Sequence, residues 1–197
     1  MNILRKNTKT LYALQTWATN KKATQEFIDN AAIYLSICAE VGVNAEVAYA
    51  QYAKESGYGK HNGTVPASYK NPCGLKTSSG GSDTDKNAHK QFSSWQDGIQ
   101  AHIDHLALYA GQDGYPKKDS PDPRHFTYLF GKCKTVESLV GNWCSDKSYA
   151  TDINKLVNEI RACEDKEEKT ATKTVTCSGN IKECKVDGKK VTITYYK

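Results

Sequence analysis

Apolar side chains recur at helical spacing through most of the first 163 residues, and the breaks between runs are well marked. Leu11, Leu14 and Trp17 predict a short helix within 8–20. Thr24 is placed to cap a second helix, with Phe27, Ile28, Ala31, Leu35 and Cys38 on one stripe and Gly42 at its end. Asn44 caps a third, from about Ala45 to Ser56, stopped by Gly57 and Gly59. Residues 60–90 lose the period. Gly, Ser, Asn, Asp and Lys dominate there, predicting loops with up to two short strands. A long irregular insertion in a helical domain points to function. The period returns at about 96–110 with Ile99, Ile103, Leu106 and Ala110, then lapses in the proline-punctuated "PKKDSPDPRHF". Short helices follow near 135–141 and 149–163, the second with Ile153, Leu156, Val157 and Ile160 as its apolar face.

After Cys163 the chain changes character. Residues 164–173, "EDKEEKTATK", form a charged linker. Residues 174–197 alternate like strands around two turn signals, Ser178-Gly179-Asn180 and Asp187-Gly188. The expected organisation is one domain over 1–163, the linker, and a small β-hairpin tail over 174–197, too short to be stable alone.

Composition narrows the function classes. With 38% hydrophobic and 25% charged residues, the 197-residue chain has no apolar run near the roughly 20 residues of a membrane span, so no membrane insertion is expected. The opening "MNILRKNTKTLYALQTW" has positive charge but no apolar core, so no signal peptide is expected. A net charge of +5 suits an anionic partner, but its even spread argues against nucleic acid. Seven cysteines, an odd count without a CxxC pair, argue against zinc. Mostly reduced thiols are expected, with Cys177 and Cys184 the local pair if oxidation occurs.

One acid stands out. In "AYAQYAKESGYGK" (48–60), Glu55 falls in the last turn of a helix, with Tyr52, Gln51 and Ala48 on its face. The macrodipole disfavours a carboxylate there, and burial would raise its pKa further. A carboxyl group that keeps its proton near neutral pH is what general-acid catalysis needs.

The motifs together resemble a known family. "VAYAQYAKESGYGK" resembles the catalytic helix of the bacterial glucosaminidases, glycoside hydrolase family 73, and "NPCGLK" (71–76) is similar to that family's small-lobe segment. "FSSWQDGIQAHIDHLALYA" (92–110), "DPRHF" (122–126) and "LVGNWCSDKSYATDI" (139–153) resemble segments of the branch found in clostridial amidases and phage lysins. The resemblance covers about 27–163, with its motifs in order. It departs from the pattern at Cys73, Cys144 and His102.

The resemblance implies a mainly α, lysozyme-like, two-lobed domain with an irregular or partly β small lobe, followed here by the short β tail. It implies hydrolysis of β-1,4 bonds in the peptidoglycan glycan strand by an endo-β-N-acetylglucosaminidase. Muramidase or lytic transglycosylase chemistry on the same fold is one alternative, and a non-catalytic wall-binding or virion module another. Glu55 is carried over as the catalytic acid and Tyr149 as the aromatic residue beside it. Asn71 and Gly74 shape the opposing wall, and Tyr52, Trp143 and His105 complete the candidate substrate-binding set, Trp143 by stacking or by packing. Asp83 and Asp85, and behind them Asp97, are candidate second carboxylates, unless the substrate's N-acetyl oxygen takes the nucleophile's part.

No metal or organic cofactor is implied. In "HIDH", His105 is read as a hydrogen-bonded structural histidine and His102 as exposed, in preference to a metal pair. Asp122 and Arg124 are read as an ion pair pinning a loop. The expected partner is bacterial peptidoglycan, with wall-polymer contact or self-association through the tail. The expected setting is a phage lysin made in the host cytosol, or a fragment of a secreted lysin, acting on the wall.

Overall fold

Short polar side chains cap the starts of three of the five α-helices. In the computed structural model, which describes residues 1–166 together with 185–186 and 189–190, Thr24 Oγ1 accepts from Phe27 N and Ser94 Oγ from Asp97 N. Asn44 Oδ1 accepts from both Glu46 N and Val47 N. Each satisfies amides that a helix start leaves without partners. The helices are α1 (Leu11–Asn20), α2 (Gln25–Val41), α3 (Ala45–Ser56), α4 (Trp95–Ala110) and α5 (Tyr149–Ala162). The chain is mainly helical, as its periodicity predicts, and α2 and α3 end on left-handed glycines, Gly42 (φ 89°) and Gly57 (φ 60°). Among the described residues no helix is long and apolar enough to cross a membrane.

α3 is the central helix. Ten of its 12 residues are buried, because it packs on α2, α4 and α5 at once. Its alanines let neighbours approach, while Tyr49 and Tyr52 fill the space between helices. The ring of Phe27 lies 4.5 Å from Tyr49 and 4.4 Å from Tyr52, and Tyr34 lies 5.5 Å from Tyr52. These hydroxyls do not go unpaired: Tyr49 donates to Phe27 O, and Tyr52 accepts from Asn30 Nδ2. At the start of α3 the buried Glu46 accepts from Thr8 N, Thr8 Oγ1 and Arg161 Nε, tying the N-terminal arm and the end of α5 to the core.

Two sequence expectations need correction. Ile28 and Leu35 are only half-buried, and the core face of α2 is instead Phe27, Asn30, Ala31, Tyr34, Ile37, Cys38 and Val41. Phe27, Ala31 and Cys38 lie in the core as expected, Ile28 and Leu35 pack at its edge, and the contact line runs through Tyr34. The helix expected near 135–141 is a single 3-10 turn, Glu137–Leu139. Thr135 and Ser138 bond each other's backbone, Ser138 Oγ to Thr135 O and Thr135 N to Ser138 Oγ, and so compete with helical hydrogen bonding.

Residues 60–90 make an irregular lobe, with 3-10 turns at Ala67–Tyr69 and Lys86–Ala88 and one antiparallel bridge, Lys76 to His89, in place of two strands. Asn71 holds it together. Its Nδ2 donates to Leu75 O and Lys90 O, and its Oδ1 accepts from Leu75 N, so one buried side chain ties both sides of the lobe. Cys73, Leu75 and Phe92 pack with Ala101 of α4 beneath it.

The chain divides into two compact units, Met1–Glu167 and Glu168–Lys197. In the second, strands β1 (Lys185–Val186) and β2 (Lys189–Lys190) pair antiparallel, with Val186 opposite Lys189. The expected Cys177–Cys184 pair and the tail's wall contact or self-association lie outside the described residues. Cys38, Cys73, Cys133, Cys144 and Cys163 are free thiols.

Candidate functional site

The end of α3 places Glu55 where two cavities meet. One, about 400 Å³, runs over Lys76, Asp83, Tyr109, Arg124 and Trp143. The other, about 320 Å³, runs over His61 to Val65 and past Asn71. Glu55 and Gly74 line both, so the acid stands partway along a groove and not at a dead end.

Glu55 is exposed to solvent through the groove, while neighbouring protein crowds its carboxyl group from the other sides. Tyr149 OH donates to Oε1 at 2.5 Å and Trp143 Nε1 donates to the same oxygen at 3.2 Å. Burial raises the carboxyl pKa above its ordinary value. The two donors and the Lys54 charge favour the ionised form but do not cancel that effect. Lys54 is itself held by Asp152, at 2.7 Å.

Trp143 is set by what lies behind it. Its ring packs edge-on to His105 at 5.3 Å and lies 6.2 Å from Tyr109. His105 Nδ1 is 2.7 Å from Asp122 Oδ2, which also lies 3.1 Å from His125 Nδ1. His105 is thus a buried, hydrogen-bonded residue in the wall behind Trp143, although its edge reaches the first cavity. Burial would raise the Asp122 pKa, but the two histidine hydrogen bonds outweigh it and bring it down to about 2.

The stability effect of Asp122 follows in sign. A carboxylate lowered in the fold stabilises above its unfolded value and loses that contribution as pH falls through its folded value. Asp122→Asn is expected to cost about 2 kcal/mol at pH 7, shrinking as pH falls from about 4 towards 2. Urea unfolding of both proteins at pH 7 and pH 2.5 measures this; an equal loss at both would refute it.

The structure moves several candidates. Tyr52 is fully buried between Phe27 and Tyr34 and lines neither cavity, so it is a core residue. Asp85 caps the turn at Lys86–Ala88 by accepting from Asn87 N, and it also lies off the cavities. Asp97 is bound by Ser93 and Ser94 at the start of α4. Asp83 does line the first cavity, its carboxylate 2.6 Å from Lys76 Nζ and its pKa lowered by that contact. His102 is not exposed: it is completely buried, between Tyr34 and Gln51. Asp122 and Arg124 do not form an ion pair. Asp122 takes the Arg124 backbone N–H, while the guanidinium reaches Thr77 O and lies over Phe126. The two unusual cysteines, Cys73 and Cys144, both line the first cavity.

Sequence reasoning missed Gln51 and His102 as parts of the site. Gln51 carried a signal, since it lies one turn before Glu55. His102 carried none, because its partners come from other helices.

A family model described as "Glucosaminidase: Mannosyl-glycoprotein endo-beta-N-acetylglucosaminidase" matches residues 31–162. An uncharacterised protein of Borreliella burgdorferi is 31% identical over 146 residues, covering 74% of this chain and 69% of its own length. No solved structure gives a significant match.

Proposed function

The chain belongs to the glucosaminidase family, glycoside hydrolases of the peptidoglycan wall, and we propose that it is an endo-β-N-acetylglucosaminidase with Glu55 as general acid. The observation that carries this reading is the Glu55 carboxyl group, raised in pKa and standing partway along a groove lined from both lobes. An acid at the middle of a groove suits a bond inside a polymer, with sugars running off on both sides.

The cleavage divides between the two walls. Protonated Glu55 gives its proton to the glycosidic oxygen as the bond to the anomeric carbon lengthens. The carboxylate left behind is stabilised by Tyr149 and Trp143, whose hydrogen bonds favour the ionised form. Asp83, kept ionised by Lys76, is the carboxylate that could hold a water over the opposite sugar face and take its proton as the water oxygen bonds to the anomeric carbon. Environments that push two carboxyl pKa values apart separate an acid from a base. In a substrate-assisted variant of the reaction, the N-acetyl oxygen itself bonds to the anomeric carbon as the glycosidic bond breaks, water then opens the ring so formed, and no second carboxylate is needed.

Digestion of purified peptidoglycan with the wild type and with Glu55→Gln, followed by borohydride reduction, tests the reading. Reduced N-acetylglucosamine from the wild type alone supports it. Reduced muramic acid would make the protein a muramidase, and anhydro-muramic ends a lytic transglycosylase. Sedimentation with walls without any release would leave a binding module.

A further inference from the structure

Behind Glu55 a line of hydrogen bonds runs into the core. Tyr34 OH lies 2.8 Å from His102 Nδ1, His102 Nε2 lies 3.0 Å from Gln51 Oε1, and Gln51 Nε2 donates to Tyr149 OH at 2.8 Å. Tyr149 then donates to Glu55 Oε1. The line crosses four helices: Tyr34 on α2, Gln51 on α3, His102 on α4 and Tyr149 on α5. Tyr34, Gln51 and His102 are 0% exposed and Tyr149 is 1%, so water cannot stand in for a lost partner. We propose that Tyr34, His102 and Gln51 form a buried hydrogen-bond chain of fixed direction that holds Tyr149 as a donor to Glu55 Oε1 and leaves Oε2 to carry the acid's proton.

The direction follows from counting hydrogens. Burial, with the neighbouring His105, lowers the His102 pKa to about 3, so at working pH the ring is neutral and carries one N–H. Tyr34 OH has no other acceptor among the described residues, so its hydrogen goes to Nδ1 and the ring N–H sits on Nε2. That N–H needs an acceptor, which orients the Gln51 amide with its oxygen towards His102 and its NH₂ towards Tyr149. Tyr149, already accepting, turns its own hydrogen to Glu55. Trp143 can only donate, and it also donates to Oε1. Oε1 therefore receives two donors, and the proton of the neutral acid belongs on Oε2. His102 and Gln51 are positioning residues: they act through Tyr149.

This inference rests on Glu55 being the acid, but its test does not need activity. The other ionisable groups near Glu55 are Lys54 on its own helix and Cys73 from the irregular lobe, with His61, Lys76, Asp83, His89, His105, Tyr109, Arg124 and Cys144 around the two cavities. His102 faces His105 and Asp122 besides the chain. None of these is altered in the test. The Glu55 pKa is read by carboxyl-carbon NMR titration of the full chain, for the wild type, Tyr34→Phe, His102→Leu, His102→Gln and Tyr149→Phe.

Without the chain Gln51 is free to turn over and compete for the Tyr149 hydrogen, so the ionised acid loses support. His102→Leu is expected to raise the Glu55 pKa by about half a unit or more, Tyr149→Phe by at least as much, and His102→Gln to return it to the wild-type value. Tyr34→Phe removes one oxygen, leaves the packing in place, and should shift the pKa in the same direction, which keeps the test decisive if the leucine variant does not fold. The alkaline limb of kcat/KM should move with the NMR value. An unchanged Glu55 pKa in Tyr34→Phe and His102→Leu, with a shift in Tyr149→Phe, would overturn the chain. A Glu55 pKa that responds while Glu55→Gln keeps full activity would instead sink the acid assignment and leave the chain standing.

Discussion

Glutamine at position 55 is expected to slow glycan cleavage about a thousandfold while making the folded protein more stable at neutral pH. The first effect follows from the proposed role of Glu55 as proton donor, and lies within the roughly 10²–10⁴-fold that a positioned acid contributes. Release of reducing ends from walls measures it, and residual activity above about a tenth would remove Glu55 from that role. The wild-type rate should fall on the alkaline side at a pH set by the Glu55 pKa, which burial holds above the ordinary 4.5.

The stability effect has its own pH signature. An acid raised in the fold imposes its cost once pH exceeds the folded pKa, and imposes none below the unfolded one. Glutamine keeps an oxygen for Tyr149 and Trp143 and carries no charge to desolvate. The variant should therefore melt higher than the wild type at pH 7, and the two should converge near pH 4. A wild type that melts higher at pH 7 would mean that the carboxylate is better accommodated than its surroundings suggest.

Gly98→Ala is expected to damage both stability and rate, although it lies in α4 and touches no substrate. A Cβ at position 98 would sit 1.9 Å from Lys70 O and 3.3 Å from the Phe92 ring. The obstacle is a backbone carbonyl, immediately before Asn71, and it cannot rotate away. Either α4 or the irregular lobe must move, and the three Asn71 hydrogen bonds, at 2.8–2.9 Å, move with it. A loss of about 3 kcal/mol is expected for such overpacking. Alanine's better helix propensity, about 1 kcal/mol, works the other way and is too small to compensate. Because Asn71 and Gly74 form the wall facing Glu55, a displacement of about 1 Å should also slow the reaction by more than tenfold. Urea unfolding and wall digestion on the same preparation test both, and wild-type stability would show that the two elements separate freely.

Some of this was legible in the order of residues. Thr24 and Asn44 cap the helices that their positions predict, since a cap needs only a side chain and amides two or three residues away. The same local logic marked the irregular lobe and the end of α3. It failed at 135–141, where Thr135 and Ser138 spend their hydroxyls on the backbone, and it held only in part along α2, where Tyr34 is buried and Leu35 packs at the edge of the core. It failed most plainly at His102. A histidine within a helix reads as polar and therefore exposed, and only Tyr34 and Gln51, from two other helices, give it partners that make burial possible.

What the sequence determined by itself, then, is the helical content, the stops, and an acid in the last turn of α3 where a charge is ill placed. These rest on interactions within a few residues, which sequence order specifies. What only the tertiary structure decided is the company Glu55 keeps. Tyr149 is 94 residues away and Trp143 is 88, and Gln51 meets His102 across 51. Such pairs form because packing α2, α4 and α5 around α3 removes water from their polar groups, and an unpaired group there would cost more than the ordering of its partner.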